Sequence, residues 1–237
     1  MFEHFRNKRV MVVAAHPDDE LLGLGATMHR LIKEYGVTAH VVILGEGITS
    51  RSNTREIAKW EKELDIHKNN IKKAQVAIGY QSVITYNFPD NRFDTVALLD
   101  IIKVIEKEKN AFLPEIVFTH HGGDLNIDHQ RTFEAVITAC RPMVHETVKT
   151  IITFETPSGT EWQASTNPKH FIPNLFFEIN EDDIQAKIIG IESYEFEKRK
   201  YPHPRSPEAL KIQAQRWGIV VGLSFAETFC LVRSVQT

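Results

Sequence analysis

Short apolar runs rich in β-branched residues recur along the chain, at 9–15, 37–44, 82–86, 115–119, 150–154, 174–179 and 229–235. Several are almost continuously hydrophobic, as strands covered on both faces are. Between them the spacing changes to that of a helix. Residues 20–35 place Leu21, Leu24, Met28, Leu31 and Ile32 on one stripe, and 95–109 do the same with Val96, Leu99, Ile102 and Ile105. Asp128 is placed to cap a further helix through Phe133, Val136 and Ile137, and 181–195 and 207–219 read as later helices. The alternation predicts βαβ units, hence an α/β, Rossmann-like domain with a mostly parallel sheet and helices on both faces.

Two stretches break the rhythm. Residues 49–73 are polar and charged, a long loop leading into an exposed helix. Residues 156–173 carry Pro, Gly, Ser, Thr, Asn and a Trp, an irregular excursion of the kind that borders substrate sites. Neither divides the chain, so residues 1–237 are read as one domain. Length adds to this, since 237 residues suffice for one large core. With 42% hydrophobic and 25% charged residues and a net charge of −3, the composition is that of a globular protein and gives no sign of nucleic-acid affinity. Cys140 and Cys230 stand far apart in apolar surroundings and read as core thiols. No run has the length of a membrane span, and the N-terminal residues lack the apolar stretch of a signal peptide, so a cytoplasmic location without membrane insertion is expected.

The chemistry concentrates at two strand ends. The first run leads directly into His16-Pro17-Asp18-Asp19-Glu20. A His and paired carboxylates in one tight turn suit Zn²⁺ or a similar divalent ion, with a second carboxylate left over as general base. At average residue frequencies this pentapeptide arises by chance in roughly one chain in ten thousand of this length. The second cluster, His120-His121-Gly122-Gly123-Asp124-Leu125-Asn126-Ile127-Asp128-His129, follows the run at 115–119. Ligands gather beyond the carboxyl ends of strands in an open α/β sheet. His16, Asp19 and His129 would then form a His₂-carboxylate set with Asp18 free to take a proton. Of the adjacent His120 and His121, at most one can face such a site. Asp128 is placed to orient an imidazole, and Asp124 reads as a loop residue. Gly23-Leu24-Gly25 and Glu46 invite a dinucleotide-binding reading, but a phosphate-binding turn would have to begin where His16–Glu20 stands.

The motifs at 16–20 and 126–129 resemble those of the PIG-L/LmbE-type zinc-dependent de-N-acetylases. The resemblance implies His16, Asp19 and His129 as metal ligands, Asp18 as base, and a substrate that is an N-acetylated amino sugar, glycoside or sugar nucleotide. Pro89-Asp90-Asn91-Arg92 is similar to the family's sugar-contacting loop, which gives Asp90, Asn91 and Arg92 as substrate contacts. Arg51 is a further candidate for an acidic substrate group. Tyr201–Ser206 and Ala226–Phe229 resemble C-terminal motifs of bacterial members. Related enzymes are often homo-oligomers. One position departs: where several members carry a first His in the second motif, this chain has Asn126, which can donate to an oxyanion but cannot shuttle a proton. Either Asp18 makes both proton transfers or His203 supplies the imidazole. The competing functions are a metal-dependent amidase acting on a non-sugar or natural-product intermediate, and a non-catalytic sugar-binding protein.

Overall fold

Each of the seven apolar runs forms a strand, and all seven join one sheet in a computed structural model that describes residues 2–236. They are β1 (Arg9–Ala14), β2 (Thr38–Gly45), β3 (Ser82–Phe88), β4 (Ile116–His120), β5 (Thr150–Phe154), β6 (Leu175–Glu178) and β7 (Ala226–Ser234). The order is β3-β2-β1-β4-β5-β7-β6. The first five are parallel, and β7 runs antiparallel to both β5 and β6. The central strands β1, β2, β4 and β5 are buried along almost their whole length because both of their faces are covered. Along β1, Val10 and Val12 enter a core with Leu21, Met28, Phe118 and Tyr194, while Met11 and Val13 enter the opposite core with Ile101, Ile105 and Val136. The first face carries α1 (Asp19–Leu22), α2 (Gly25–Tyr35), α3 (Glu61–Ile78) and α6 (Glu181–Glu192), the second α4 (Leu98–Phe112) and α5 (Ile127–Ala139). The last helix, α7 (Pro207–Val221), leads into β7.

The expected helix at 20–35 is two helices. A Cβ on Gly23 would meet the Phe154 ring at 2.2–2.7 Å, so the chain passes β5 only as glycine. Leu24 then leaves helical geometry, and the amides of Ala26 and Thr27, freed at the start of α2, donate to the Glu227 carboxylate from β7. Lys187 pairs with that carboxylate at 2.7 Å and donates to the Leu22 carbonyl. The helix after β4 is capped by Asn126 rather than Asp128: its side chain accepts the Asp128 amide at 2.8 Å. Cys140 is buried, but Cys230 is only half-buried, its thiol donating to the Ile172 carbonyl. No helix among the described residues is long and apolar enough to cross a membrane.

Candidate active site

The sheet order reverses at β1, whose neighbours β2 and β4 are reached by crossovers in opposite directions. A crevice opens there beyond the carboxyl ends of the strands. The turn after β1 and the loop after β4 both empty into it. Asp18 takes φ 98°, a left-handed geometry unusual for a non-glycine residue, and its amide donates to the Glu20 carboxylate at 3.0 Å. The Asp19 carboxylate accepts the His16 amide at 2.8 Å. A single Asp19 oxygen then stands 3.3 Å from His16 Nδ1 and 3.3 Å from His129 Nε2.

The ligand atoms of His16, Asp19 and His129 all lie within 4.8 Å of one another. A tetrahedral ion with bonds of about 2.0–2.1 Å needs ligand separations of about 3.3–3.4 Å, which both Asp19 contacts match. Both His129 ring nitrogens are buried without a properly aligned hydrogen bond, although Asp124 lies 3.1 Å from Nδ1. Burial alone pushes the His129 imidazole down, but the Asp19 and Asp124 carboxylates outweigh it and hold it up at about 9. A buried imidazole facing two carboxylates and lacking a partner is what a cation-shaped site looks like. The donor set fits a divalent ion such as Zn²⁺.

Carboxylates behind the rings fix them. Asp128 accepts the Asn91 and Phe93 amides at 2.6 and 2.8 Å and holds His16 Nε2 at 2.8 Å, so it does orient an imidazole. Asp124 takes the Thr160 hydroxyl at 2.5 Å and the Asn126 amide at 2.8 Å. His120 stacks on His129 at 3.9 Å, but its Nε2 accepts the Ala15 amide and its Nδ1 faces the Thr156 hydroxyl. Burial and the neighbouring His129 lower it to about 4, so it is a neutral wall. His121 turns away to the Lys169 carbonyl.

Above the set lies a cleft of about 290 Å³. His16, Asp18, Asp19, Arg51, Asp90, Asn91, Asn126 and His203 line it, with His129 buried beneath. Arg92 does not line it; its guanidinium donates outward to the Asn53 carbonyl. Asp90 lines the cleft but is only 5% exposed, taking the Ser50 amide and standing 3.4 Å from His16 Nε2. The Asn126 amide donates to Asn91 Oδ1 at 3.0 Å. Glu46 is spent on a two-point pairing with Arg55, 2.8 Å at each contact.

On the far wall, sequence reasoning reached only His203. The loop at 194–206 gives Glu197, Arg199, His203 and Arg205 to the cleft. Arg205 donates to Asp18 Oδ2 at 2.7 Å and to the Ser158 hydroxyl at 2.6 Å. Glu197 pairs with Arg51 and stands 3.3 Å from Arg205. The loop begins at Tyr194, whose buried hydroxyl donates to Glu20 at 2.6 Å. Asp18 is thus gripped at its amide through Glu20 and at its carboxylate by Arg205. The only signal in the sequence was the motif containing Arg205, which was read for its histidine.

Residues 11–140 match the family described as PIG-L, GlcNAc-PI de-N-acetylase. The chain belongs to this family. The match ends just after α5 and so spans both motifs, from His16–Glu20 through His129. A protein of Escherichia coli K12 described as the uncharacterized deacetylase YaiS is 29% identical over 194 residues, 80% of this chain and 91% of that one. Among solved structures, the N,N′-diacetylchitobiose deacetylase of Pyrococcus horikoshii aligns with a TM-score of 0.74 at 17% identity, over 95% of this chain and 84% of that one. GalB of Pseudomonas putida KT2440, described as a 4-carboxy-2-hydroxymuconate hydratase, aligns with a TM-score of 0.72 at 21% identity, over 97% and 98%. One fold therefore serves both amide hydrolysis and hydration, and the reaction of a PIG-L member has to be argued from its site.

Proposed function

We propose that this PIG-L protein is a metal-dependent de-N-acetylase that hydrolyses the acetamide of an N-acetylated amino sugar to the free amine and acetate. The observation that carries the reading is the His16–Asp19–His129 set with the Asp18 carboxylate beside it at the floor of a polar cleft. A divalent ion held by those three residues, zinc by the make-up of the set, supplies a positive charge that polarises the amide carbonyl and acidifies water.

The remaining work falls to side chains. Burial pushes the Asp18 carboxyl well up from its ordinary value, Arg205 opposes this, and the Asp19 and Glu197 charges add to it. Arg205 occupies Oδ2, leaving Oδ1 for the water proton. As the water oxygen bonds to the carbonyl carbon, Asp18 takes that proton. As the C–N bond breaks, Asp18 returns it to the departing nitrogen. His203 is suited to the oxyanion. Its Nδ1 accepts the Arg205 amide at 3.2 Å, so the neutral ring carries its proton on Nε2. Burial and the Arg205 and Arg199 charges lower its pKa, which disfavours a second proton. His203 is then a neutral donor rather than a shuttle, and Asp18 makes both transfers. Asn126, Asn91 and Arg51 frame the sugar.

The test is acetate release from a panel of N-acetylglucosamine, its glycosides and its nucleotide derivatives, with metal content measured alongside. Acetate stoichiometric with new amine is expected, and Asp18→Asn should keep the metal and lose about 10²–10⁴-fold in turnover. Near-native turnover in a metal-replete Asp18→Asn protein, or acetate only from non-sugar amides, would overturn the reading.

A further inference from the structure

The excursion at 156–173 contributes an exposed indole that the reaction does not use. Trp162 is 52% exposed and lines the cleft. Trp60 and Trp217 spend their indole N–H groups on Ser52 and Glu155, while the indole N–H of Trp162 makes no hydrogen bond among the described residues. Its mount is stiff. The short turn Thr160–Trp162 is fixed by the Thr156 amide on the Thr160 hydroxyl at 2.7 Å and by that hydroxyl on Asp124 at 2.5 Å. Glu161 takes the Ser158 amide at 2.6 Å, and the next residue, Gln163, donates to the Gly123 and Asp124 carbonyls. Asp124 also stands against His129, so one framework sets the indole and a ligand imidazole. The His203 ring meets the indole nearly perpendicular, at 5.8 Å and 80°.

A large apolar side chain held rigidly in a polar cleft is poorly placed for stability and well placed for binding. Exposure grades along the cleft, from 1% at Asp19 through a half-buried His203 to 52% at Trp162. A substrate with its acetamide at the buried end keeps its remote part at the mouth, where the indole stands. We infer that Trp162 is a stacking platform for the part of the substrate distal to the acetamide. It selects a ring with an apolar C–H face, meaning a second sugar or a cyclic polyol. This rests on the proposed deacetylase reading, whose acetamide fixes which end is buried.

Two measurements test it. With N,N′-diacetylchitobiose, Trp162→Ala should raise KM about tenfold or more with kcat changed less than about threefold, and Trp162→Phe should restore most of the loss. With N-acetylglucosamine the same variants should change KM less than about threefold. Independently of turnover, saturating chitobiose should shift the indole emission of the wild type but not of Trp162→Phe, which keeps Trp60 and Trp217. Equal losses on mono- and disaccharide, or an emission change that survives in Trp162→Phe, would overturn the platform. If the wild type releases no acetate from either sugar, the deacetylase reading fails. The emission titration then still decides whether Trp162 meets a sugar.

Discussion

At the scale of single residues, the proposed chemistry depends on one arginine as much as on the His16–Asp19–His129 set. Arg205 is half-buried against Asp18, Ser158 and Glu197, and its geometry sets which carboxylate oxygen of Asp18 faces the cleft. Displacing a base by about 1 Å can cost roughly a hundredfold. Arg205→Ala should therefore lower kcat about 10–100-fold with KM little changed, and added guanidinium should recover part of it, which a merely misfolded variant would not allow. Arg205→Lys should recover less than its conserved charge suggests, since an ammonium cannot reach Asp18 and Ser158 from one planar fork. His203→Ala should lower kcat more than it raises KM, because a donor to the oxyanion acts in the transition state. The convergence of His16, Asp19 and His129 was legible because the first two sit in one turn and the third follows a strand. Arg205 was not, because its partner Asp18 is 187 positions away and no local pattern marks a long-range pair.

Elements owe their positions to polar groups that hydropathy cannot see. Asn126 read as a catalytic donor, yet its side-chain oxygen caps α5. Asn126→Ala should cost about 1 kcal/mol in urea unfolding, while Asn126→Asp, which keeps the capping oxygen, should cost less. A second case joins β5 to α7. Trp217 donates to Glu155, whose carboxyl is pushed up to about 7, chiefly by burial and also by Glu161, against an ordinary 4.5. A carboxyl raised on folding binds its proton more tightly in the native state. The stability it contributes is present below about pH 4.5 and is lost as pH rises through about 7. Glu155→Gln, which keeps the acceptor for Trp217, should match the wild type near pH 4.5. At pH 8 it should exceed it by about 1–2 kcal/mol, less than the full shift implies because part of the side chain reaches solvent. A wild type equally stable at both pH values would refute this. Most strands and helices were legible because central strands buried on both faces leave continuous apolar runs and helices packed on one side leave an apolar stripe. The break at Gly23-Leu24 was not, since it answers to Phe154 and Glu227 on other strands.

Across the whole molecule, sheet order decides where charge collects. Reversal at β1 brings Asp18, Asp19, Asp90, Asp124 and Asp128 into one buried region, and all five are 5% exposed or less. Arg205 balances one of these charges, and His16 and His129 can balance two more only by holding protons. The fold thus places a negative excess at one edge, where carboxylates left unpaired weaken the native state. A bound cation offsets this, and its effect on stability follows mass action, about 2.7 kcal/mol when free metal is a hundredfold above its dissociation constant. Chelation should accordingly lower the unfolding temperature, and zinc should restore it. The loss should also be local. Amide exchange should quicken in the turn after β1 and the first turn of α5, where Asp19 and His129 lose their shared partner. It should hardly change in β6, which lies at the far edge of the sheet and supplies nothing to the cleft. Uniform quickening across all seven strands would mean that the metal supports the whole core. No change at the β1 turn would mean that His16, Asp19 and His129 do not hold it.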